Sequence, residues 1–140
     1  MFKEYGRLPI ISCYASQINQ VFYHILGNAI DAFPSVSNSI NPRIEIRTEV
    51  VDARTVKIVI SDNGMGMDRE TLAKIFDPFF TTKPIGKGTG LGMAISHQIV
   101  VATHGGTLEV KSELGEGTQF CIGLPVNNHL GGHELSFDND

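Results

Sequence analysis

Residues 17–33 carry apolar side chains at steps of three and four, which is the period of an amphipathic helix. The apolar positions of this segment are Ile18, Val21, Phe22, Ile25, Ala29 and Phe33. Ser16 directly precedes the segment and Pro34 directly follows it. Because serine is a favoured N-cap and proline cannot continue a helix, we predict a helix that is capped by Ser16 and ends before Pro34.

Strand patterns occupy most of the remaining apolar positions. Residues 43–51 alternate between apolar and polar side chains, as in a half-buried strand, and residues 55–62 are apolar enough for a central strand. Residues 107–113 and 117–126 predict two more strands, joined as a hairpin. Short extended segments are predicted on both sides of Pro9.

Two further helices and a glycine-rich loop complete the pattern. Residues 68–75 predict a short helix with Asp68 as its N-cap, and residues 91–104 predict a helix that ends at the following pair of glycines. Residues 76–93 hold two prolines and four glycines, so we predict a mobile loop there. This order of elements favours an α/β (α+β) two-layer sandwich, in which one mixed, largely antiparallel sheet is covered by about three helices.

The size and composition fit one globular domain that takes in residues 1–126. The chain has 140 residues, of which 41% are hydrophobic and 19% charged. Residues 127–140 are polar, and we expect them to form a disordered tail. The net charge of −4 leaves no basic surface for nucleic acid. No apolar run approaches the roughly 18 residues that a membrane-spanning helix needs. We therefore expect a cytoplasmic domain without direct membrane contact, which leaves open that the parent protein is membrane-anchored.

Polar side chains form a second stripe on the first predicted helix, beside its apolar face. Gln20, His24, Asn28 and Asp31 are spaced four, four and three residues apart, so they share one side of the helix. A solvated polar face is one interpretation of this stripe. The alternative is a ligand-facing edge, where the side-chain oxygen of Asn28 binds a hard cation such as Mg²⁺.

The segment D-N-G-M-G, residues 62–66, lies at the polar end of the predicted central strand. Glycines at such a place let the backbone turn sharply and approach a ligand closely. Asp62 can accept a hydrogen bond from an amine, and a buried carboxylate of this kind discriminates well between ligands. An ordinary strand-to-helix turn, in which Asp62 acts as a cap, is the alternative interpretation.

The glycine-rich segment G-K-G-T-G-L-G-M, residues 86–93, looks like a phosphate loop but fits neither common template. A Walker A motif requires Ser or Thr after Gly-Lys, where this chain has Gly88, and the fingerprint G-x-G-x-x-G fails from both Gly86 and Gly88. What remains is a glycine-rich run into a helix N-terminus, where free amides and the helix dipole favour a phosphate. A merely flexible loop is the alternative.

Taken together, these segments resemble the sequence boxes of a known ATP-binding domain. N-A-I-D-A, D-N-G-M-G-M, F-D-P-F-F-T-T-K and G-T-G-L-G-M are similar, in order and spacing, to the N, G1, F and G2 boxes of the histidine kinase catalytic domain. G-E-G-T-Q-F-C-I-G-L-P-V resembles the closing hairpin of the same family. Within the wider superfamily of gyrase, MutL and related ATPases, the F-box segment points to the branch of two-component sensor kinases.

The resemblance implies a Bergerat fold that holds ATP and Mg²⁺ beneath a mobile lid. Asp62 would bind the adenine amine with the help of Thr118, and Asn28 would ligate Mg²⁺ among the phosphates. Gly64 and Gly66 would make room for the base. The G2 glycines would bring amides to the phosphates, and Lys83 or Lys87 would add positive charge. The phenylalanines that would anchor the lid are Phe76, Phe79 and Phe80. The implied ATP-binding residues are Asn28, Asp31, Asp62, Gly64, Gly66, Phe80, Lys83, Gly88, Thr89, Gly90, Leu91, Gly92 and Thr118.

The same resemblance implies a protein-histidine kinase and two protein partners. The γ-phosphate of ATP would pass to a histidine on a separate, dimeric helical hairpin, and from there to the receiver domain of a response regulator. The segment His133-Glu134-Leu135 matches only three letters of an acceptor motif, since Arg-Thr-Pro and a long amphipathic helix are missing. We therefore expect the catalytic part of a kinase without its acceptor.

Two residues depart from the family pattern and keep other functions open. His24 stands where this branch usually has Asn, and Asp31 stands where many members have a phosphate-contacting Lys. His24 could position water or phosphate, or it could be a structural histidine. The alternatives to a kinase are a nucleotide-binding module without transfer activity and an ATPase of the gyrase–MutL branch. An ATPase of that branch needs a glutamate on the first helix as general base, and His24 would be a poor replacement for it.

Overall fold

The computed structural model describes residues 2–5, 11–33, 41–81, 91–126 and 133–135. In this part of the chain, a five-stranded sheet packs against helices, and the apolar core lies between the two layers. This arrangement confirms the predicted two-layer α/β sandwich with a largely antiparallel sheet.

The strands are β1 (Phe2–Tyr5), β2 (Ile11–Cys13), β3 (Ile44–Val50), β4 (Thr55–Asp62), β5 (Thr107–Glu113), β6 (Gly117–Pro125) and β7 (His133–Leu135). The helices are α1 (Ala15–Asp31), α2 (Arg69–Lys74) and α3 (Gly92–His97), and α3 continues into a π-helix over Gln98–Thr103. The main sheet has the order β1-β3-β4-β6-β5, and β2 pairs with β7 in a separate two-stranded sheet. The β1–β3 pair is parallel, whereas the other neighbours in the main sheet are antiparallel.

The core forms where the apolar stripe of α1 meets one face of the sheet. Its buried side chains include Ile18, Val21 and Ile25 of α1 and Val56, Ile58 and Ile60 of β4, each no more than 3% exposed. Burial of side chains of this size stabilises the fold by about 1.5–3 kcal/mol each. Because side chains alternate along a strand, Asp62 is the next member of the β4 series. The core pattern therefore places Asp62 on the helix-facing side, where the strand ends.

The start of α1 differs from the prediction. The helix begins at Ala15 with Tyr14 as its N-cap, so the assignment of Ser16 as the cap was wrong. The reason is a contact from a distant segment: the Tyr14 amide donates to Nε2 of His104 at 3.0 Å. His104 is 1% exposed, and its Nδ1 lies 2.8 Å from the carbonyl oxygen of Ile99. Both ring nitrogens are therefore used when Nδ1 carries the proton and Nε2 accepts.

Other predicted elements are confirmed with small differences. Asp68 caps α2, since its Oδ1 accepts a hydrogen bond from the Thr71 amide at 2.7 Å. The predicted helix over 91–104 is helical, but its second half is a π-helix that ends where the His104 amide bonds to the Ile99 carbonyl. Residues 133–135, which lie within the tail expected to be disordered, form β7. Pro34 and residues 82–90 lie outside the described residues.

Candidate functional site

One row of side chains crosses the sheet at the end of β4 and carries the polar residues of the site. Asp62 on β4 pairs with Thr118 on β6, and Thr118 pairs with Ser112 on β5. Each residue occupies the next alternate position beyond the core-facing apolar residues of its strand, so all three lie on the helix-facing side. The inward-facing positions of these strands are thus apolar in the core and polar at this end of the sheet. A shallow surface depression of about 240 Å³ at this end of the sheet is lined by these three residues but also by Ser61, Gln119 and Lys111 of the opposite face, so it does not outline a pocket on the helix-facing side.

The Asp62 carboxylate is held by backbone amides. Its Oδ1 accepts a hydrogen bond from the Gly64 amide at 2.9 Å, and the Thr118 amide donates to the same carboxylate. Burial raises the pKa of Asp62 above its ordinary value, and the two amide hydrogen bonds oppose this rise without cancelling it. A carboxylate has about four lone-pair positions, so this one keeps acceptor capacity for a ligand. The group is suited to receive a hydrogen bond from an amine.

The loop after β4 is packed closely against neighbouring backbone. A Cβ added at Gly66, whose φ is 72°, would collide with the carbonyl oxygen of Glu113. A Cβ added at Gly64 would lie 2.7 Å from the carbonyl oxygen of Ala32. The family resemblance implies that these glycines make room for a base. In the structure, the space beside each is filled by protein backbone, so glycine is required to seat the loop between α1 and the β5–β6 hairpin.

Sequence reasoning missed Ser112, which joins the hairpin to this loop. Its Oγ accepts a hydrogen bond from the Met67 amide at 2.8 Å, lies 2.8 Å from Oγ1 of Thr118 and donates to the carbonyl oxygen of Gly117 at 3.0 Å. The signal in the sequence is a polar residue that continues the inward-facing series of Leu108 and Val110. Such a residue at a core position needs hydrogen-bond partners.

The polar stripe of α1 is only partly exposed. His24 and Asn28 are half-buried, whereas Gln20 and Asp31 are exposed. The Nδ1 of His24 would lie 2.8 Å from a Cβ added at Gly92, the first residue of α3. His24 therefore packs against the start of α3, and its ring also contacts that of Tyr23 at 5.6 Å between centroids. These contacts give His24 a packing role and also place its ring beside Gly92.

The three F-box phenylalanines have different surroundings. Phe76 packs against the core, and its ring centroid lies 4.9 Å from that of His97. Phe80 is half-buried. Phe79 is 75% exposed and has a φ of 67°, which is rare for an aromatic residue. The ring of Phe79 is therefore mostly in solvent, while residues 82–90 of the loop that it is expected to anchor lie outside the described residues.

The structure describes only some of the residues that are predicted to bind the phosphates. Leu91 and Gly92 lie at the N-terminal end of α3, next to His24 of α1. Lys83, Lys87, Gly88, Thr89 and Gly90 lie outside the described residues. Among the residues that are described, no group of three His, Cys, Asp or Glu side chains could hold a metal ion.

Comparisons with known proteins agree with this arrangement. A profile of the family described as histidine kinase-, DNA gyrase B-, and HSP90-like ATPase matches residues 13–128. Sporulation kinase E of Bacillus subtilis strain 168 is 39% identical over 122 residues, which cover 87% of this chain. The chain spans 15% of the length of that kinase.

Solved structures with the same fold include the catalytic domain of histidine kinase ThkA and full-length ShkA. The catalytic domain of histidine kinase ThkA, in a nucleotide-free form, has a TM-score of 0.73 at 29% identity and covers 89% of this chain and 78% of its own. Full-length ShkA in complex with AMPPNP has a TM-score of 0.73 at 26% identity and covers 91% of this chain and 26% of its own. Within the described ranges, none of the helices combines the length and hydropathy that crossing a membrane requires.

Proposed function

The chain belongs to the family of histidine kinase-, DNA gyrase B- and HSP90-like ATPases as a catalytic domain of the sensor histidine kinase type, and we propose that it donates the γ-phosphate of ATP to a histidine on a separate domain. The observation that carries this proposal is the polar row at the end of β4, where the amide-held carboxylate of Asp62 has acceptor capacity left for a ligand.

Adenine is the base that suits this end of the site. We propose that Asp62 accepts a hydrogen bond from the exocyclic amine, with Thr118 beside it in register. Guanine has a carbonyl at that position, so two acceptors would face each other, at a cost of about 1–3 kcal/mol for the unsatisfied groups. Gly64 supports this role through its amide, while Gly66 lets the loop approach the hairpin.

The phosphates would then extend toward α1 and the start of α3. Asn28 is the residue that we propose as a Mg²⁺ ligand, with Asp31 one turn further along the same edge. Mg²⁺ would neutralise charge on the phosphates when it is bound. We also propose that Lys83, Gly88, Thr89 and Gly90 complete this end together with Leu91, Gly92 and Phe80. The complex of ShkA with AMPPNP, an adenine nucleotide analogue, supports nucleotide binding by this fold.

Three histidines of this chain have structural settings. His104 is buried with both ring nitrogens bonded, His97 lies against Phe76, and His24 packs against α3. We therefore propose that the acceptor histidine belongs to a dimerisation and phosphoacceptor hairpin of the parent kinase. The imidazole nitrogen would attack the γ-phosphorus, the bond to the β–γ bridging oxygen would break, and ADP would leave. A response regulator would receive the phosphoryl group next, and the cytoplasm is the location that we propose for both steps.

Transfer to a supplied acceptor tests this function. The chain is incubated with γ-labelled ATP and Mg²⁺, with and without the acceptor hairpin of its parent kinase. Since phosphoryl transfer depends mostly on positioning and charge stabilisation, we expect label on the hairpin and none on the chain alone. A hairpin whose acceptor histidine is replaced by Gln is the control and should stay unlabelled. Tight ATP binding without any transfer would contradict the proposal and indicate a non-catalytic nucleotide-binding module.

A further inference from the structure

The hydroxyl of Ser112 sits at a junction with three partners but has only one proton. The Met67 amide can only donate to it, and the Gly117 carbonyl can only accept from it. The third partner, Oγ1 of Thr118 at 2.8 Å, could take either role. If the Ser112 proton goes to Gly117, then Thr118 must donate its own proton to Ser112. This is the arrangement in which all three contacts are hydrogen bonds.

The direction of these bonds decides what Thr118 can offer to a ligand. Once its proton is given to Ser112, the Thr118 hydroxyl has only lone pairs left, and it is 8% exposed beside Asp62. The Asp62 carboxylate also offers lone pairs. The two groups that face the proposed base position are then both acceptors, so a 6-amino group placed between them can donate to them, whereas a 6-oxo group placed there would face two acceptors.

We propose that Ser112 is a positioning residue that makes the site specific for 6-aminopurine nucleotides, by fixing the Thr118 hydroxyl as a hydrogen-bond acceptor. This inference rests on the proposed adenine site at Asp62. Without the Ser112 hydroxyl, the Thr118 proton can turn toward the ligand. Thr118 can then donate to an oxo group, so discrimination between amino and oxo purines falls.

The probes are ADP and inosine 5′-diphosphate, which differ at the 6-position of the base and in N1, an acceptor in adenine and an N–H donor in hypoxanthine. The readout is the ratio of their two affinities measured by calorimetry. We expect Ser112→Ala to lower the preference for ADP about tenfold, the factor for one hydrogen bond of ordinary strength. Ser112→Thr keeps a hydroxyl and should retain the ratio. Ser61→Ala is the matched control, because Ser61 is next to Asp62 but on the opposite face of the sheet. Its ratio should be unchanged.

A merely structural role for Ser112 predicts a different result. Loosening of the loop would weaken the binding of both nucleotides equally. An unchanged ratio of the ADP and inosine 5′-diphosphate affinities in Ser112→Ala would therefore overturn the inference. If Ser112→Ala does not fold, Ser112→Cys carries the same expectation, since a thiol is a weak hydrogen-bonding group. In a Thr118→Val background, adding Ser112→Ala should change the ratio no further. A further tenfold change there would also overturn the inference.

The same titrations separate this inference from the proposed function. If the unchanged protein binds the two nucleotides equally, the adenine site at Asp62 is wrong and the inference falls with it. If the unchanged protein prefers ADP and Asp62→Asn removes that preference while Ser112→Ala does not, the proposed function stands and the role of Ser112 is rejected.

Discussion

The two ends of the proposed nucleotide site are built in different ways. At the adenine end, Asp62, Thr118 and Ser112 stand in register on three neighbouring strands, and their side chains are bonded to the backbone or to each other. At the phosphate end, Asn28 and Asp31 project from a single helix edge. Recognition of the base is thus tied to the sheet ladder, which cannot shift without breaking the core. The helix edge allows its side chains to adjust to a metal and to phosphates.

The largest effect is expected on the free energy of unfolding, when a substitution at the adenine end forces the loop after β4 outward. Gly66→Ala places a Cβ against the Glu113 carbonyl at a φ of 72°, so we expect a loss of about 2–5 kcal/mol in the free energy of unfolding. Gly115→Ala is the matched control, because its φ is 82° and nothing lies within 4 Å of its added Cβ. It should cost only about 1–2 kcal/mol. Equal losses by chemical denaturation would show that the close approach is unimportant.

The next largest effect is expected at the carboxylate itself. Asp62→Asn replaces an acceptor by a group that also donates, and we expect ADP affinity to fall about 10- to 100-fold while the fold is kept. Asp52→Asn, in the turn between β3 and β4, is the control and should bind ADP normally. Calorimetric titration of both variants decides the matter, and an Asp62→Asn protein with full affinity would contradict the assignment.

The raised pKa of Asp62 should make the free energy of unfolding and the affinity for ADP depend on pH in opposite directions. Burial raises the pKa of Asp62, so ionisation of this carboxyl costs more free energy in the folded chain than in the unfolded chain. The group therefore stabilises the fold at low pH. This contribution is lost as the pH rises through the pKa of the folded state. Binding of an amine needs the ionised form, so ADP affinity should fall on acidification at a higher pH than for an ordinary aspartate. Asp62→Asn should remove both dependences. Titrations and melting curves across the acidic range measure them, and an unchanged slope in the variant would rule Asp62 out as the source.

A smaller effect should mark the phosphate end. Asn28→Ala should reduce the gain in ADP affinity that Mg²⁺ gives by about three- to tenfold, the range for one neutral hydrogen-bonding ligand. Affinity without Mg²⁺ should change little, because the base is held elsewhere. Gln20→Ala, on the same stripe but two turns away, provides the comparison. If the Asn28→Ala protein kept the whole Mg²⁺ gain, another residue would be the ligand.

The smallest effect is expected at Phe79, whose ring is exposed and whose backbone is strained. Phe79→Gly relieves the positive φ, so stability should stay equal or rise by up to about 1 kcal/mol, with ADP affinity unchanged. Phe79→Ala removes the ring but keeps the Cβ, and the difference between the two variants measures the strain. A marked loss of stability in both would show that the Phe79 ring does pack in solution.

The regular parts of the fold could be predicted because they repeat a local rule. The alternation of Val56, Ile58 and Ile60 sets the face of β4, and it also sets the side on which Asp62 must lie. Asp68 was predictable as a cap, because its partner Thr71 is three residues away. The position of Thr118 beside Asp62 follows from the pairing of β4 with β6, and it was expected only from the family resemblance.

The rest depended on contacts between distant segments. The N-terminal end of α1 is set by His104, which lies 90 residues further along the chain. Ser112 acquires its role only when the hairpin meets the loop at Met67, a contact 45 residues apart. Gly66 is required by a carbonyl on that same hairpin. No local pattern contains these partners, so the sequence could identify the polar ends of strands but not the bonds that hold them.

A crystal structure of this chain with ADP and Mg²⁺ would show where the base and the metal bind. We expect the exocyclic amine of adenine about 2.7–3.2 Å from a carboxylate oxygen of Asp62. We also expect the side-chain oxygen of Asn28 about 2.0–2.1 Å from the metal. A base bound away from the end of β4, or phosphates placed against Asp62, would contradict the proposed adenine site.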